Sequence, residues 1–286
     1  MPTPTPVAGV PPASSRTAAA IPSSTSATRG TPATATGVGV GMPGLLDRAA
    51  GRVDESPNLP IFNGCALRDE LARRLELSPE LVALENDANA AALGEARQGA
   101  ARGERDVLVV TLGTGVGGGL ILGGELFLGA GLAGEIGHVM VDPEGPPCGC
   151  GSRGCLETLA SATAVRRRAL ALGLPGDVEQ LAAAARAAEG PERALLAAVG
   201  RDLGHGLAAV VCLLDLRTFV FAGGFAAALD VLEAGIRRGL TEWAYGERVT
   251  SIRLARAALG SAAGWIGAAL LPRPLMSAPH RPHRST

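Results

Sequence analysis

Leu132-Ala133-Gly134-Glu135-Ile136-Gly137-His138, followed by Cys148-Gly149-Cys150 and Gly154-Cys155-Leu156-Glu157, is the most informative stretch of this 286-residue chain. One histidine and three of the chain's five cysteines fall within eighteen positions, separated by glycines and flanked by two acids. Tetrahedral zinc takes four such ligands, and a glycine-rich backbone can fold tightly around the ion. The bland alternatives are a disulfide pair with a spare thiol, or a chance Gly/Cys loop. Zinc predicts that the three sulfurs and one imidazole nitrogen converge to about 4 Å of one another. Glu135 and Glu157 would then be held by the stapled loop, with acceptor oxygens turned toward something polar.

The same block, read as E-x-x-H followed by C-x-C-G-x-x-G-C-x-E, closely resembles the signature of the ROK family of sugar kinases and repressors. The resemblance implies that His138, Cys148, Cys150 and Cys155 bind a structural Zn²⁺. It also implies that Glu135, His138 and Glu157 contribute to a sugar pocket, with His138 shared between metal and substrate.

Glu85-Asn86-Asp87-Ala88-Asn89-Ala90 lies where an apolar run, Leu81–Leu84, passes into an alanine-rich helix, Ala88–Gln98. Asp or Asn at such a junction is commonly a helix cap, but three polar side chains in a row exceed what one cap requires. A sugar kinase needs a carboxylate to orient the attacking hydroxyl and accept its proton. The segment is similar to the E-N-D-A-N-A motif of ROK kinases, which implies Asp87 as the catalytic base and Asn86 as a sugar ligand.

Leu112-Gly113-Thr114-Gly115-Val116-Gly117-Gly118-Gly119 follows an apolar run, Asp106–Leu112. It reads either as a plain hairpin turn or as a cradle whose N–H groups and Thr hydroxyl meet an anion. No lysine follows, so it is not a P-loop. By resemblance Gly113, Thr114 and Gly115 face the phosphates of ATP, and Gly223-Gly224 forms the adenosine-side glycine pair. Pro57-Asn58-Leu59-Pro60 with Phe62-Asn63-Gly64 is similar to the family's N-L-x-x-W-x-G segment, Phe62 standing for Trp, and places Asn58 near the sugar. Turn chemistry alone also accounts for those residues. His205 lies within a helical run and reads as a packed or surface side chain, not a ligand.

Patterning between the ends alternates strands and helices. Val38–Val40 ends in a Gly-Met-Pro-Gly turn, and Gly119–Leu122 reads as a hairpin partner for Asp106–Leu112. Thr218–Ala222 and Ile252–Ala255 are further strands. Leu67–Leu77, Ala160–Leu172, Val178–Glu189, Pro191–Leu214, Ala226–Thr241 and Ala262–Leu270 are helical. This alternation argues for an α/β protein. Resemblance specifies the actin-like ATPase (ribonuclease H-like) fold of two lobes: a partial small lobe over 37–105, a large lobe over 106–258 and a closing helix over 259–272.

With 47% hydrophobic residues and a net charge of −1, the chain can bury a large core and offers nucleic acid no electrostatic attraction. Aromatics make up 3%, so that core must be built of small aliphatics. No charge-free apolar stretch is long enough to read as a membrane span. Cys65 and Cys212 read as loop and buried element, and cysteine usage fits a reducing cytoplasm. Family members commonly pair, which implies a homodimer.

Residues 1–36 are Pro, Ala, Thr and Ser with no acid, and read as disordered, as does the tail over 273–286. ROK kinases open with a D-x-G-G-T turn that clamps phosphate and positions Mg²⁺. Met1–Thr36 contains no Asp, so the resemblance implies a missing first β-hairpin and impaired activity of the chain as written. The function expected is ATP-dependent phosphorylation of a hexose or N-acetylhexosamine. A sugar-responsive ROK-type regulator, or a catalytically dead sugar-binding remnant, are the alternatives.

Overall fold

The computed structural model describes residues 37–245 and 249–271. The expectations for Met1–Thr36, including the absent phosphate hairpin, and for the tail over 273–286 lie outside the described residues.

β1 (Val38–Met42) runs parallel to β4 (Val82–Asn86), with Val38 opposite Val82 and Met42 opposite Asn86. Met42, Val82 and Leu84 meet Leu67 and Ala72 of α1 (Leu67–Leu75) in a small apolar core. That helix stops at Glu76, which is left-handed at φ 54°, while Leu77 N–H returns to the Ala72 carbonyl at 2.9 Å. Between β1 and α1 an antiparallel ribbon of β2 (Leu45–Asp47) and β3 (Arg52–Glu55) appears that no alternation in the sequence announced. Its strands are too short to show a period.

The larger sheet has the order β7-β6-β5-β8-β9, formed by β5 (Val107–Leu112), β6 (Val116–Leu122), β7 (Glu125–Phe127), β8 (Thr218–Ala222) and β9 (Arg253–Arg256). β5 pairs antiparallel with β6 and parallel with β8. Alternate side chains of a strand face opposite ways, and here both faces are covered. Leu108, Val110 and Leu112 enter the large core, while Val107 and Val109 meet Ala92 and Ala101. Hence β5 reads as a near-continuous apolar run, interrupted only by Thr111.

The large core holds Phe219 and Phe221 of β8 against aliphatics of α6 (Pro191–Leu214) and α7 (Leu229–Trp243), among them Leu203, Leu207, Leu232 and Ile236. α6 is long and apolar enough to cross a membrane, but it is largely buried and packs on α7 and on α5 (Val178–Ala187). Cys212, expected to be buried there, is exposed near the helix end.

Two boundaries moved for local reasons. β6 begins at Val116, three residues earlier than expected, because the glycine triplet is itself strand. A Cβ at Gly119 would stand 2.4 Å from the Ala92 Cβ, so the close approach of α2 (Asp87–Gln98) explains the composition. The helix expected over Ala160–Leu172 is α4 (Ala162–Ala171), which starts two residues late and is preceded by a separate short helix, α3 (Leu156–Ala160), that was not expected. Ser161 is extended between them and its Oγ accepts Ala164 N–H at 3.1 Å as an N-cap.

α2 contacts both sheets and packs along α8 (Ala263–Leu270). Glu95, fully buried near its end, accepts backbone N–H bonds from Ala100, Ala258 and Leu259 at 2.7, 3.1 and 2.8 Å. The carboxylate thus pins α2 to the segment joining β9 and α8. The helix that starts at Asp87 is thereby held firmly where the two sheets meet.

Candidate active site and metal centre

Asn86 ends β4 and caps α2, its Oδ1 accepting from Ala88 N–H at 2.9 Å and Asn89 N–H at 3.2 Å. Capping by Asn86 leaves Asp87 as the first helical residue, with Oδ1 receiving the Ala88 N–H at 2.9 Å. Asp87 is reached by solvent yet lies in a recess of protein. That partial desolvation pushes its carboxyl above the ordinary aspartate range, against the Ala88 and Asp87 backbone hydrogen bonds that lower it.

Glu135 precedes the short 3-10 turn Ile136–His138 and is half-buried. Desolvation raises its carboxyl above the usual range. His138 and Arg48 pull it down, while the charges of Asp87 and Glu157 push it up. Five groups from four separate segments therefore share one electrostatic neighbourhood. Glu157, in the first turn of α3, accepts Val116 N–H at 3.1 Å. It lies directly over Gly115, where a Cβ would come within 2.2 Å of Oε2, so a larger residue there would push the Glu157 carboxylate aside. Of the expected sugar-side residues, Asn86, Asp87, Glu135, His138 and Glu157 are thus gathered. Asn58 is exposed on the turn after β3, and among the described residues no hydrogen bond ties it to the others.

A separate cavity of about 620 Å³ opens beside the Gly113-Thr114 turn, with none of Asp87, Glu135 and Glu157 in its lining. Gly113, Thr114 and Gly224 line it, together with Thr163 and Arg166 of α4 and the start of α5. The turn is fixed by Ala162 N–H on the Gly113 carbonyl at 2.8 Å and by the Thr163 hydroxyl on the Thr114 carbonyl at 2.8 Å. Gly223 has φ 88°, and a Cβ there would stand 2.3 Å from the Leu112 carbonyl oxygen. It binds the end of β8 to the end of β5 and leaves Gly224 facing open space.

His138, Cys148, Cys150 and Cys155 place one ligand atom each within 4.8 Å of one another. This is looser than the expected 4 Å overall, although Cys148 Sγ lies 3.7 Å from His138 Nδ1 and Cys150 Sγ 3.7 Å from Cys155 Sγ. Those sulfurs are far beyond disulfide distance, and all five cysteines are free. Cys148 N–H bonds to the Ser152 carbonyl at 2.8 Å, closing the turn that carries Cys150, while Cys155 ends the loop as the N-cap of α3. Burial pushes the Cys155 thiol up to about 12, while the Ser152 backbone and Cys148 hydrogen bonds hold the Cys150 thiol below its ordinary value. Three sulfurs and an imidazole suit Zn²⁺. His205 lies elsewhere, buried in α6 and stacked on Trp243 at 3.9 Å, with Nε2 2.8 Å from Glu242.

Sequence reading missed Arg48 and the role of Glu85. Arg48, in the β2–β3 turn, clasps the buried Glu85 carboxylate through Nε at 2.9 and 2.8 Å, and through Nη2 as well. No local pattern marks a pair 37 residues apart.

The arrangement is that of an actin-like ATPase, with acids at the meeting of two sheets and a cavity beside a glycine turn. A model of the ROK family matches residues 18–274, and the chain belongs to that family. It is 38% identical over 250 residues to a glucokinase of Thermotoga maritima, covering 81% of this chain and 77% of that protein. Among solved structures it is similar to a ROK hexokinase from Thermus thermophilus, at 39% identity and TM-score 0.70 over 82% of this chain and 78% of that one. A ROK family glucokinase from Streptomyces griseus in complex with glucose and AMPPNP is 36% identical, at TM-score 0.71 over 83% and 81%.

Asp87 and pH are linked through its raised carboxyl. A general base works deprotonated, so in the role expected of Asp87 from the sequence, kcat/KM for the sugar would fall as pH drops through a value above the ordinary aspartate range. The linkage to stability has the opposite sense. A raised folded-state value contributes stability that is present at low pH and lost as pH rises. Asp87→Asn should therefore raise Tm at neutral pH, with the difference closing in acid. Thermal melts of both proteins across pH 3–8, beside a pH–rate profile, check both limbs; equal melts throughout would contradict the desolvated site.

Proposed function

We propose that the protein transfers the γ-phosphate of ATP to a hydroxyl of a hexose or N-acetylhexosamine, as a glucokinase-type enzyme. The observation that carries the reading is the shared neighbourhood of Asp87, Glu135, His138 and Glu157 beside the Gly113–Gly115 turn. Asp87 is the base that receives the attacking hydroxyl's proton. Asn86, Glu135, His138 and Glu157 hold the sugar by hydrogen bonds, and Asn58, on the turn after β3, would be a more distant addition to them. Phosphoryl transfer asks the protein mainly for alignment and charge stabilisation. The turn between β5 and β6 supplies the alignment, with sugar acceptors and the nucleotide cavity both beside it. Gly113, Thr114 and Gly115 would meet the phosphates and Gly223-Gly224 the adenosine side, with Mg²⁺ entering on ATP. Zn²⁺ held by His138, Cys148, Cys150 and Cys155 has a structural task, fixing the loop that carries His138 and leads to Glu157. The enzyme is read as a cytoplasmic homodimer, in a small lobe over 37–105 and a large lobe over 106–258 closed by 259–272. A sugar-responsive regulator is the weaker reading, because glucokinases match over most of their own length and this chain's.

Gly224 offers a clean test of the nucleotide end. A Cβ there meets nothing within 4 Å and the backbone needs no left-handed conformation, so Gly224→Leu should fold. Filling the cavity should cost about 1–3 kcal/mol of nucleotide binding, a rise of roughly 5- to 150-fold in KM for ATP. Glucose affinity measured by calorimetry without nucleotide should stay put. An unchanged KM for ATP would remove the nucleotide from this cavity.

A further inference from the structure

Arg48 spans more of the site than its place in a β-turn suggests. The turn is itself fastened: Asp47 Oδ1 accepts Ala50 N–H at 2.9 Å, and Arg68 of α1 donates to the carbonyls of Arg48 and, at 3.0 Å, Ala49. From this base the Arg48 guanidinium grips the Glu85 carboxylate, and its Nη1 reaches the Gly131 carbonyl at 3.4 Å. Glu85 in turn accepts the Asn86 N–H at 2.8 Å and the Asn89 side-chain amide at 2.9 Å. One carboxylate therefore holds the two residues that flank Asp87 and its Ala88 neighbour. Gly131 begins the segment that leads to Glu135, whose carboxyl senses the Arg48 charge.

We propose that Arg48 is a positioning residue for phosphoryl transfer. Through Glu85 it sets the Asn86–Asn89 turn that aims Asp87, and through the Gly131 carbonyl it draws the Glu135 loop onto the same sugar. The inference rests on the kinase reading above. Arginine suits the task because its planar fork serves a carboxylate and a second acceptor at once, which an ammonium cannot do with the same geometry. Displacing a reacting group by about 1 Å costs on the order of 10²-fold in rate, so a residue that never touches substrate can still govern turnover.

The test uses the full chain, with steady-state kinetics in glucose and ATP and calorimetry with glucose alone. The unmodified chain is measured first; no turnover and no glucose binding there would overturn the kinase reading, and this inference with it, before any variant is made. Given an active chain, Arg48→Gln should lower kcat by about 10²-fold and weaken glucose binding, with KM for ATP within about twofold because the nucleotide cavity is elsewhere. Arg48→Lys, which keeps charge and loses the fork, should recover only part of the rate. Since Arg48→Gln leaves Glu85 buried without its cation, Arg48→Met/Glu85→Gln is made alongside, removing both charges. It should fold and remain as slow. Full turnover in Arg48→Gln, a parallel rise in KM for ATP, or return of the rate in the double variant would each overturn the proposal. The last of these would leave the pair as a purely structural contact.

Discussion

Asp87→Asn should reduce kcat for glucose phosphorylation by about 10²–10⁴-fold, the usual worth of a positioned general base. The change is nearly isosteric and leaves the Asn86 cap on Ala88 and Asn89 in place, so the start of α2 should not move. Asparagine can still orient a hydroxyl but cannot take its proton. Glucose binding should therefore survive within a few-fold while turnover collapses. Removal of an interaction made only in the transition state has that kinetic signature. A coupled assay of ADP release, read against the unmodified chain, decides it. Turnover within about tenfold of the unmodified chain would mean that another group is the base, and Glu135 would be examined next. Its carboxyl also lies above the ordinary range, and it shares the same neighbourhood.

Purified protein should carry about one Zn²⁺ per chain, and Cys148→Ser should lose it and fold poorly. Structural zinc in small peptides contributes roughly 10–16 kcal/mol of apparent binding free energy at neutral pH, and that energy is folding energy. If only about 4 kcal/mol of it were felt across this larger domain, Tm would fall by roughly 8–16 °C. Local damage should be wider than one loop. Cys155 stands at the N-cap position of α3, and α3 carries Glu157, so losing the metal would loosen Glu157 and His138, the two residues proposed to meet the sugar beside it. Metal analysis and thermal melts with and without a chelator check this. Well-folded protein without zinc, or chelator-treated protein with an unchanged melt, would refute the assignment.

The clustering of His138, Cys148, Cys150 and Cys155 was legible because such knots form by short-range chain reversal: the three cysteines lie within eight positions and need only tight turns to meet. The Asn86 cap and the buried strand Val107–Leu112 were legible for the same reason, since capping and apolar runs act within one element. Boundaries failed where a neighbour set the conformation. The glycines of β6 look like a loop until α2 lies against them, and Ser161 looks helical until it is seen capping α4. The ribbon of β2 and β3 is too short to carry any period.

What the sequence alone determined is the list of chemical parts: a sulfur-and-imidazole knot, an acid at the head of a helix, and a glycine-rich turn after a buried strand. Each is local, because its residues constrain one another through adjacent backbone. What only the tertiary structure decided is how those parts face one another. Glu157 lies over Gly115 across 42 positions, Arg48 reaches Glu85 across 37 and Gly131 across 83, and Thr163 closes the cavity against Thr114 across 49. Such contacts leave no periodic trace, since they depend on the packing of whole sheets and helices against each other and not on the conformation of any one segment.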